Sequence, residues 1–508
     1  MRISRRGFLK GTLAGATLVC SIVDLKAFCQ SVSRTSGTNA PPSPKPANLD
    51  LPKIKGKIVV PGDKTYNEDR RDYNARFDVS PNSILFCSNE SDVIEAVKWA
   101  RRNKMPVALR SGGHSYEAYS LIDKGAVIDV SDMTKVAVNA AKTLATVQTG
   151  VTLMPLCEAL WEKKVVVPVG SCGTVGIAGV TLGGGYGLLS RSMGLTCDNL
   201  MGVRMVDCHG NVIVANEHQH SDLLWACRGG GGGSFGVCTE FTFRLHPIDN
   251  VTIARMRWKW DEAADVIKAW QHWATQVDDK MTSILTVSSK SAGSLLGLAM
   301  YLGSPAKAQS IFEPLLAKVK PKRFSVVPMP FIKAQREFSG MPSKSNGGSK
   351  GSAKDLLEPV HAHLHSRFKS TSDYVSADLD EAAIKIMIDA LTDSPSASSC
   401  VQFDHYGGAI NRVPVKDTAF CHRADTRFCL HYQISWNQAT KDSANIDWIN
   451  NFRKAMQPHV SGYAYQNYSD SDITNWGHAY YGDNVNRLNL IKRKYDPDNF
   501  FRFPQSIV

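Results

Sequence analysis

The sequence has no Cys-x-x-Cys pair, no long basic run with interleaved aromatics, and no internal repeat. Beyond its N-terminus it also has no stretch apolar enough to span a bilayer. The first absence excludes a zinc ribbon and a thioredoxin motif. The second argues against nucleic acid as a partner. The last excludes a membrane-spanning helix after the N-terminal segment. The ten cysteines after Cys29 are scattered, and one or two bridges could form after export without making a disulfide framework. His361, His363 and His365 alternate, but no acid or cysteine accompanies them at ligand spacing, so no metal is expected. Charged residues make up only 21% and apolar residues 43%, which fits a folded chain with a sizeable core. The 508 residues suffice for two large domains or three average ones.

Five of the twelve excess positive charges lie in the first 36 residues. There Ser4-Arg-Arg-Gly-Phe-Leu-Lys10 precedes a short apolar stretch from Gly11 to Val23. A charged start and a short apolar segment describe a signal peptide, and the paired Arg5-Arg6 resembles a twin-arginine signal. Such a signal implies the twin-arginine export machinery as a partner and a periplasmic or secreted destination. Five prolines between Pro41 and Pro52 mark a linker. The expected division is 1–36 signal, 37–60 linker, 61–247 first domain, 248–474 second domain and 475–508 a returning segment.

The two large parts differ in pattern. From Asn82 to Pro247 strand and helix alternate, with Ser91 or Asp92 as the expected cap of a helix striped by Val93, Ala96, Val97 and Ala100. After Pro247, strand-like runs such as Thr252–Trp260 and Phe428–Trp436 are broken by amphipathic helices near Glu262–Val277, Ala306–Val319, Glu381–Leu391 and Ala444–Met456. That order predicts an antiparallel sheet backed by helices, and an α+β chain overall. Gly340 to Ser352 reads as a flexible loop.

Glycine, 39 residues in all, is concentrated between Gly170 and Gly236. Three segments stand out: Arg110-Ser-Gly-Gly-His-Ser-Tyr116, Gly170 to Gly187, and Arg228 with five glycines before Ser234. Glycine lets backbone amides approach a ligand closely, which suits a diphosphate. Gly231, Gly233 and Gly236 have the spacing of a dinucleotide fingerprint, but Thr239-Glu-Phe-Thr-Phe-Arg-Leu245 follows with strand-like alternation where a helix is required. A nicotinamide Rossmann site is therefore a poor reading.

These segments resemble the berberine bridge enzyme-like branch of the vanillyl-alcohol-oxidase (p-cresol-methylhydroxylase-type) flavoproteins. The resemblance covers residues 79–247 and 400–508. It implies a two-part FAD-binding domain of that type and a substrate domain with an antiparallel sheet backed by helices. Arg110-Ser111-Gly112-Gly113-His114-Ser115 matches the loop whose histidine attaches to the flavin 8α-methyl. Gly170-Ser-Cys172-Gly173-Thr174-Val175-Gly176 matches the segment whose cysteine attaches to ring carbon 6. Gly179, Gly184, Gly187, Val237 and Asn484 belong to further matching segments implied to face the cofactor. Gly173 stands where proline is common, and Ser234 where asparagine is common. Taken alone, His114 could be a structural histidine and Cys172 a buried thiol; the resemblance implies covalent FAD through both.

A flavin accepts a hydride at N5, so a substrate C–H must be placed there and a hydroxyl proton removed. The resemblance implies a tyrosine base, here Tyr468 in Tyr465-Gln-Asn-Tyr468-Ser-Asp470, oriented near Gln433. Family members that close the berberine bridge carry glutamate at the Gln433 position. Glutamine cannot serve as that base, which turns the expectation toward alcohol or hemiacetal oxidation. Tyr116 and Tyr186 match further active-site tyrosines, each with core packing or substrate stacking as the alternative. Val175 matches a position where a small residue leaves room for O2 and leucine tends to block it. The expected activity is oxidation of a carbinol or sugar hemiacetal carbon, an oligosaccharide giving a lactone, with O2 reduced to hydrogen peroxide. The alternatives are oxidation of a natural-product secondary alcohol or alkaloid, and an exported carbohydrate-binding protein with a degenerate flavin domain.

Overall fold

The computed structural model describes residues 50–339 and 366–508. The twin-arginine segment, most of the linker, the loop from Gly340 to Ser352 and the three alternating histidines lie outside the described residues.

Three large sheets organise the described residues, beside a two-stranded pairing of Val165–Val166 with His246–Pro247. The first holds β1 (Ile58–Val59), β2 (Ser83–Phe86), β3 (Val107–Arg110) and β4 (Ala126–Asp129) in the order β1-β2-β4-β3. Its last three strands are parallel. Helix α1 (Glu90–Arg102) crosses between β2 and β3 and buries Val93, Ala96, Val97 and Ala100, the expected stripe. Its cap lies two or three residues earlier than the sequence suggests. Asn89, rather than Ser91 or Asp92, accepts the Asp92 N–H at 3.1 Å. The Asp92 carboxylate instead takes the N–H groups of Lys55, Gly56 and Ser88, tying the chain before β1 to the helix.

The second sheet contains β5 (Val136–Val138), β6 (Leu144–Gln148), β7 (Leu200–Val206), β8 (Val212–Asn216) and β9 (Val237–Arg244), all antiparallel in the order β5-β6-β9-β7-β8. The segment after the five-glycine run is thus a strand. Helix α2 (Leu153–Trp161) and the short α3 (Ile177–Leu182) join the hydrophobic core of this sheet. The chain's end joins it too: Ala464, Ile473, Tyr480, Tyr481, Leu488 and Ile491 are buried in the same cluster.

The third sheet holds β10 (Asn250–Lys259), β11 (Met281–Ser288), β12 (Ser294–Tyr301), β13 (Arg323–Pro330), β14 (Arg367–Val375), β15 (Ser399–His405) and β16 (Phe428–Trp436). Its order is β13-β10-β12-β11-β15-β16-β14, antiparallel throughout. Helices α4 (Ala263–Ala274), α5 (Pro305–Lys318), α6 (Glu381–Thr392) and α7 (Asp442–Met456) cover one face around Trp258, Trp270, Phe403, Leu430 and Tyr432. These are the helices the sequence predicts. The fold is α+β, with an antiparallel sheet backed by helices. β14 escapes sequence reading because Arg-Phe-Lys-Ser-Thr-Ser-Asp-Tyr-Val offers neither an apolar run nor clean alternation. No helix of the described residues is long and apolar enough to cross a membrane.

Strand alternation directs successive side chains to opposite faces. In β16, Phe428, Leu430, Tyr432, Ile434 and Trp436 enter the helix-covered core. The intervening positions turn toward the first two sheets, and a cavity lies between.

Candidate active site

The cavity measures about 430 Å³ and has two dissimilar walls. One is backbone, built from the loops after β3, before α3 and before β9. Ser111 to Ser115, Val175, Gly176, Gly179, Gly187 and Val237 line it. Its closest seam joins Gly112 to Gly176: a Cβ added to Gly112 would lie 2.3 Å from the Gly176 nitrogen. Gly113 bends the loop with φ +64°, a conformation that favours glycine. Gly179 is open, with nothing within 4 Å of an added Cβ.

Across this wall His114 and Cys172 converge on one hydroxyl. The His114 Nε2 lies 2.9 Å from the Thr174 Oγ1, and the Cys172 Sγ lies 3.6 Å from the same oxygen. Tyr73 stacks on the His114 ring at 4.1 Å. Arg110, buried, commits its Nε to the buried Asp129 carboxylate. Its two terminal nitrogens have no protein hydrogen-bond partner, and Arg110 is among the residues that line the cavity. The Tyr119 hydroxyl and the Gln466 Oε1 are likewise buried, unpaired and part of the lining residues. Buried polar groups are nearly always hydrogen-bonded, so this set of donors and acceptors fits a large polar ligand. A glycine seam, an Arg fork and unpaired amide and phenol groups suit the phosphates and ring edges of FAD.

The other wall is made of side chains from the third sheet. Gln402 and Asp404 on β15, and His431, Gln433 and Ser435 on β16, line the cavity, together with Tyr468. The Tyr468 hydroxyl donates to the Asp404 Oδ2 at 3.0 Å, and the Gln402 amide donates to the Asp404 Oδ1 at 2.7 Å. Tyr468 and Gln433 line the same cavity, and the hydrogen-bond partner of the phenol is Asp404. Burial raises Asp404 to about 7, against which the hydrogen bonds from Gln402 and Tyr468 act. Burial, and then the Asp404 charge, hold Tyr468 well above its ordinary value. Above about pH 7 the pair therefore keeps its proton on the phenol and its negative charge on the carboxylate.

Aromatic rings fix this arrangement. Tyr468 stacks on His431 with centroids 3.6 Å apart and planes 6° from parallel, and Tyr116 lies nearly parallel at 5.9 Å. The residues next to these tyrosines are anchored. Lys369, fully buried on β14, pairs with Glu117 at 3.0 Å and with Asp470. Tyr186 also lines the cavity, but its hydroxyl donates to the His405 carbonyl at 3.2 Å and its ring stacks on Tyr406.

Four residues expected at the cofactor are not among those lining the cavity. Gly173 and Thr174 are not on the wall, although Thr174 touches both His114 and Cys172. Gly184 packs against Phe420 and Tyr465. Asn484 is farther away. It opens helix α8 (Asn484–Tyr495) and donates to the carbonyls of Val415, Thr418 and Ala419, so its role is to order that loop. Sequence reasoning missed Asp404, Gln402 and His431. Their signal was a polar residue at every second position of two otherwise apolar strands.

The geometry agrees with the comparisons. A family model for an FAD binding domain matches residues 81–216, and one described as berberine and berberine like matches residues 464–508. The uncharacterized FAD-linked oxidoreductase YvdP of Bacillus subtilis (strain 168) is 38% identical over 456 residues, covering 89% of this chain and 98% of that protein. The solved structure of Physcomitrella patens BBE-like 1 superposes with a TM-score of 0.81 at 32% identity, covering 89% of this chain and 97% of that one. A chitooligosaccharide oxidase superposes with a TM-score of 0.80 at 27% identity, with coverages of 89% and 97%. With its glycine wall, its family-model matches and these relatives, the chain belongs to the berberine bridge enzyme-like family of FAD-dependent oxidoreductases.

Proposed function

We propose that the protein oxidises the carbinol carbon of a polyhydroxylated substrate, a sugar hemiacetal above all, so that an oligosaccharide gives a lactone. The observation that carries this reading is the Tyr468 to Asp404 hydrogen bond inside the cavity. A substrate hydroxyl placed at Tyr468 passes its proton to the phenol oxygen as the phenol proton moves to the Asp404 carboxylate. The hydroxyl oxygen then forms the carbonyl as the hydride leaves carbon. Tyr468 thus acts as base through Asp404, which removes the need for a free phenolate. His114 and Cys172 would hold FAD, which would supply the hydride acceptor and the route for the electron pair to O2, with hydrogen peroxide as the product. Val175, on the cavity wall, would set the access of O2.

The polar strip of Gln402, Asp404, His431 and Gln433 supports the sugar reading, since such groups bind hydroxyls. The similar chitooligosaccharide oxidase points the same way. A natural-product secondary alcohol is the second reading, favoured by the Tyr116 and Phe368 rings, which meet edge to face at 5.1 Å on the cavity wall. The Arg5-Arg6 pair supports a periplasmic or secreted location.

Peroxide release and anaerobic flavin bleaching should be measured across glucose, cellobiose, chito-oligosaccharides and aromatic alcohols. Bleaching by sugars is expected. Bleaching by aromatic alcohols alone would replace this reading with the second.

A further inference from the structure

His431 is buried, with 3% of its surface exposed, and lines the cavity. Neither of its ring nitrogens has a hydrogen-bond partner in the protein. A buried imidazole left unpaired at both nitrogens is costly, and such exceptions call for a ligand or a water.

The neighbours cannot satisfy it. Gln402, directly opposite on β15, gives its amide to Asp404. Ser372, opposite on β14, accepts the Tyr465 N–H. One ring face is covered by aromatic packing, with Tyr468 flat against it at 3.6 Å, and Tyr116 lies to the side at 6.0 Å. In a flat stack the nitrogens point sideways, along the layer parallel to the phenol, and not into the neighbouring ring. Burial lowers the imidazole to about 3, so it stays neutral across the working range. A neutral imidazole carries one N–H donor and one acceptor nitrogen. That pairing matches a hydroxyl, which both donates and accepts.

We propose that His431 reads the hydroxyl on the carbon next to the one oxidised, so that the site selects 1,2-diol substrates over simple alcohols. This rests on the reading in which Tyr468 takes the hydroxyl of the reacting carbon. The imidazole plane lies one ring layer from the phenol plane, 3.6 Å between centroids, a layer spacing on the scale of two oxygens on adjacent carbons. A site built to hydrogen-bond a hydroxyl rejects the analogue lacking it, because its own polar groups are then left unpaired. His431 is thus a specificity residue of the sheet wall, distinct from the Tyr468–Asp404 couple that moves the proton.

The test compares the holoenzyme with His431→Phe, which keeps a flat ring against Tyr468 but has no ring nitrogen, and with His431→Gln, which restores a donor and an acceptor. Glucose and 2-deoxyglucose share the hemiacetal and differ in the adjacent hydroxyl. Flavin bleaching by glucose should exceed that by 2-deoxyglucose by about tenfold or more in the unmodified enzyme. The preference should fall to about one in His431→Phe, through loss of glucose rate, and return in part in His431→Gln. Binding of cyclohexane-1,2-diol against cyclohexanol, read as a change in flavin absorbance, gives the same comparison without turnover. If neither sugar bleaches the flavin, the sugar reading fails, and the diol titration still decides the role of His431. An unchanged preference for the diol in His431→Phe overturns the proposal. So does a uniform loss with both members of each pair, or an altered flavin spectrum with discrimination intact.

Discussion

The two walls of the cavity are built on opposite principles. The wall formed by the loops at Ser111–Ser115 and Gly170–Gly187 works through absent side chains, bringing backbone to within contact distance at the Gly112–Gly176 seam. The sheet wall works through side chains that strand alternation projects at every second position, with a core of Trp270, Phe403 and Tyr432 on the reverse face. A backbone wall tolerates almost no added volume, whereas a side-chain wall can change its chemistry without disturbing the fold. The first suits a constant cofactor and the second a particular substrate.

Substitution should separate the walls. The largest effect is expected at the seam. Gly176→Ala places a Cβ 2.5 Å from the Gly112 nitrogen, and backbone there cannot give way, so the purified protein should lose nearly all of its flavin absorbance. Full flavin content in that variant would break the distinction between the walls. On the other wall, Tyr468→Phe and Asp404→Asn should each keep the flavin while slowing its reduction by roughly 10²–10⁴-fold, the usual contribution of a general base. Stopped-flow reduction under anaerobic conditions measures this. Unchanged reduction in Tyr468→Phe would move the base elsewhere, with Tyr116 next.

Their legibility differed for the same physical reason. The backbone wall is read from the sequence because its glycines are contiguous and serve no core. His114 and Cys172 stand out within those runs, and the structure brings both to Thr174. The sheet wall is scattered over β14, β15 and β16, and its polar residues are interleaved with core residues that dominate the pattern. Gln433 was legible through the family resemblance; Asp404 and His431 emerge only once strand register places them beside Tyr468. Asn484 differs again. It belongs to a matching segment, yet its amide serves three carbonyls away from the cavity.

A pH profile sharpens the account of the sheet wall. Asp404 titrates at about 7, and only its ionised form can take the phenol proton. The groups facing it do not titrate nearby: burial holds Tyr116, Tyr186, Tyr465, Tyr468 and Cys429 high and His431 at about 3. Flavin reduction should therefore climb about tenfold per pH unit below 7 and level above it. Asp404→Asn should flatten that limb, and a limb that survives the substitution would assign it to another group.

The smallest effect is expected where the backbone wall carries a side chain. Val175→Leu adds one methylene to a packed wall, and in close-packed surroundings that volume matters. Reoxidation of the reduced enzyme by air should slow several-fold while reduction by substrate is spared. Equal reoxidation rates would remove Val175 from control of oxygen access, and sluggish reoxidation of the unmodified enzyme with rapid transfer to a quinone or dye would make it a dehydrogenase.

The central claim is a backbone wall that holds FAD through His114 and Cys172. The absorbance spectrum and intact mass of the purified protein, before and after acid denaturation, test it most directly. The account predicts a yellow protein whose colour and added mass of one FAD stay with the denatured chain, with either His114→Ala or Cys172→Ala still retaining one link. Complete release of the flavin on denaturation, or a colourless protein, would contradict it.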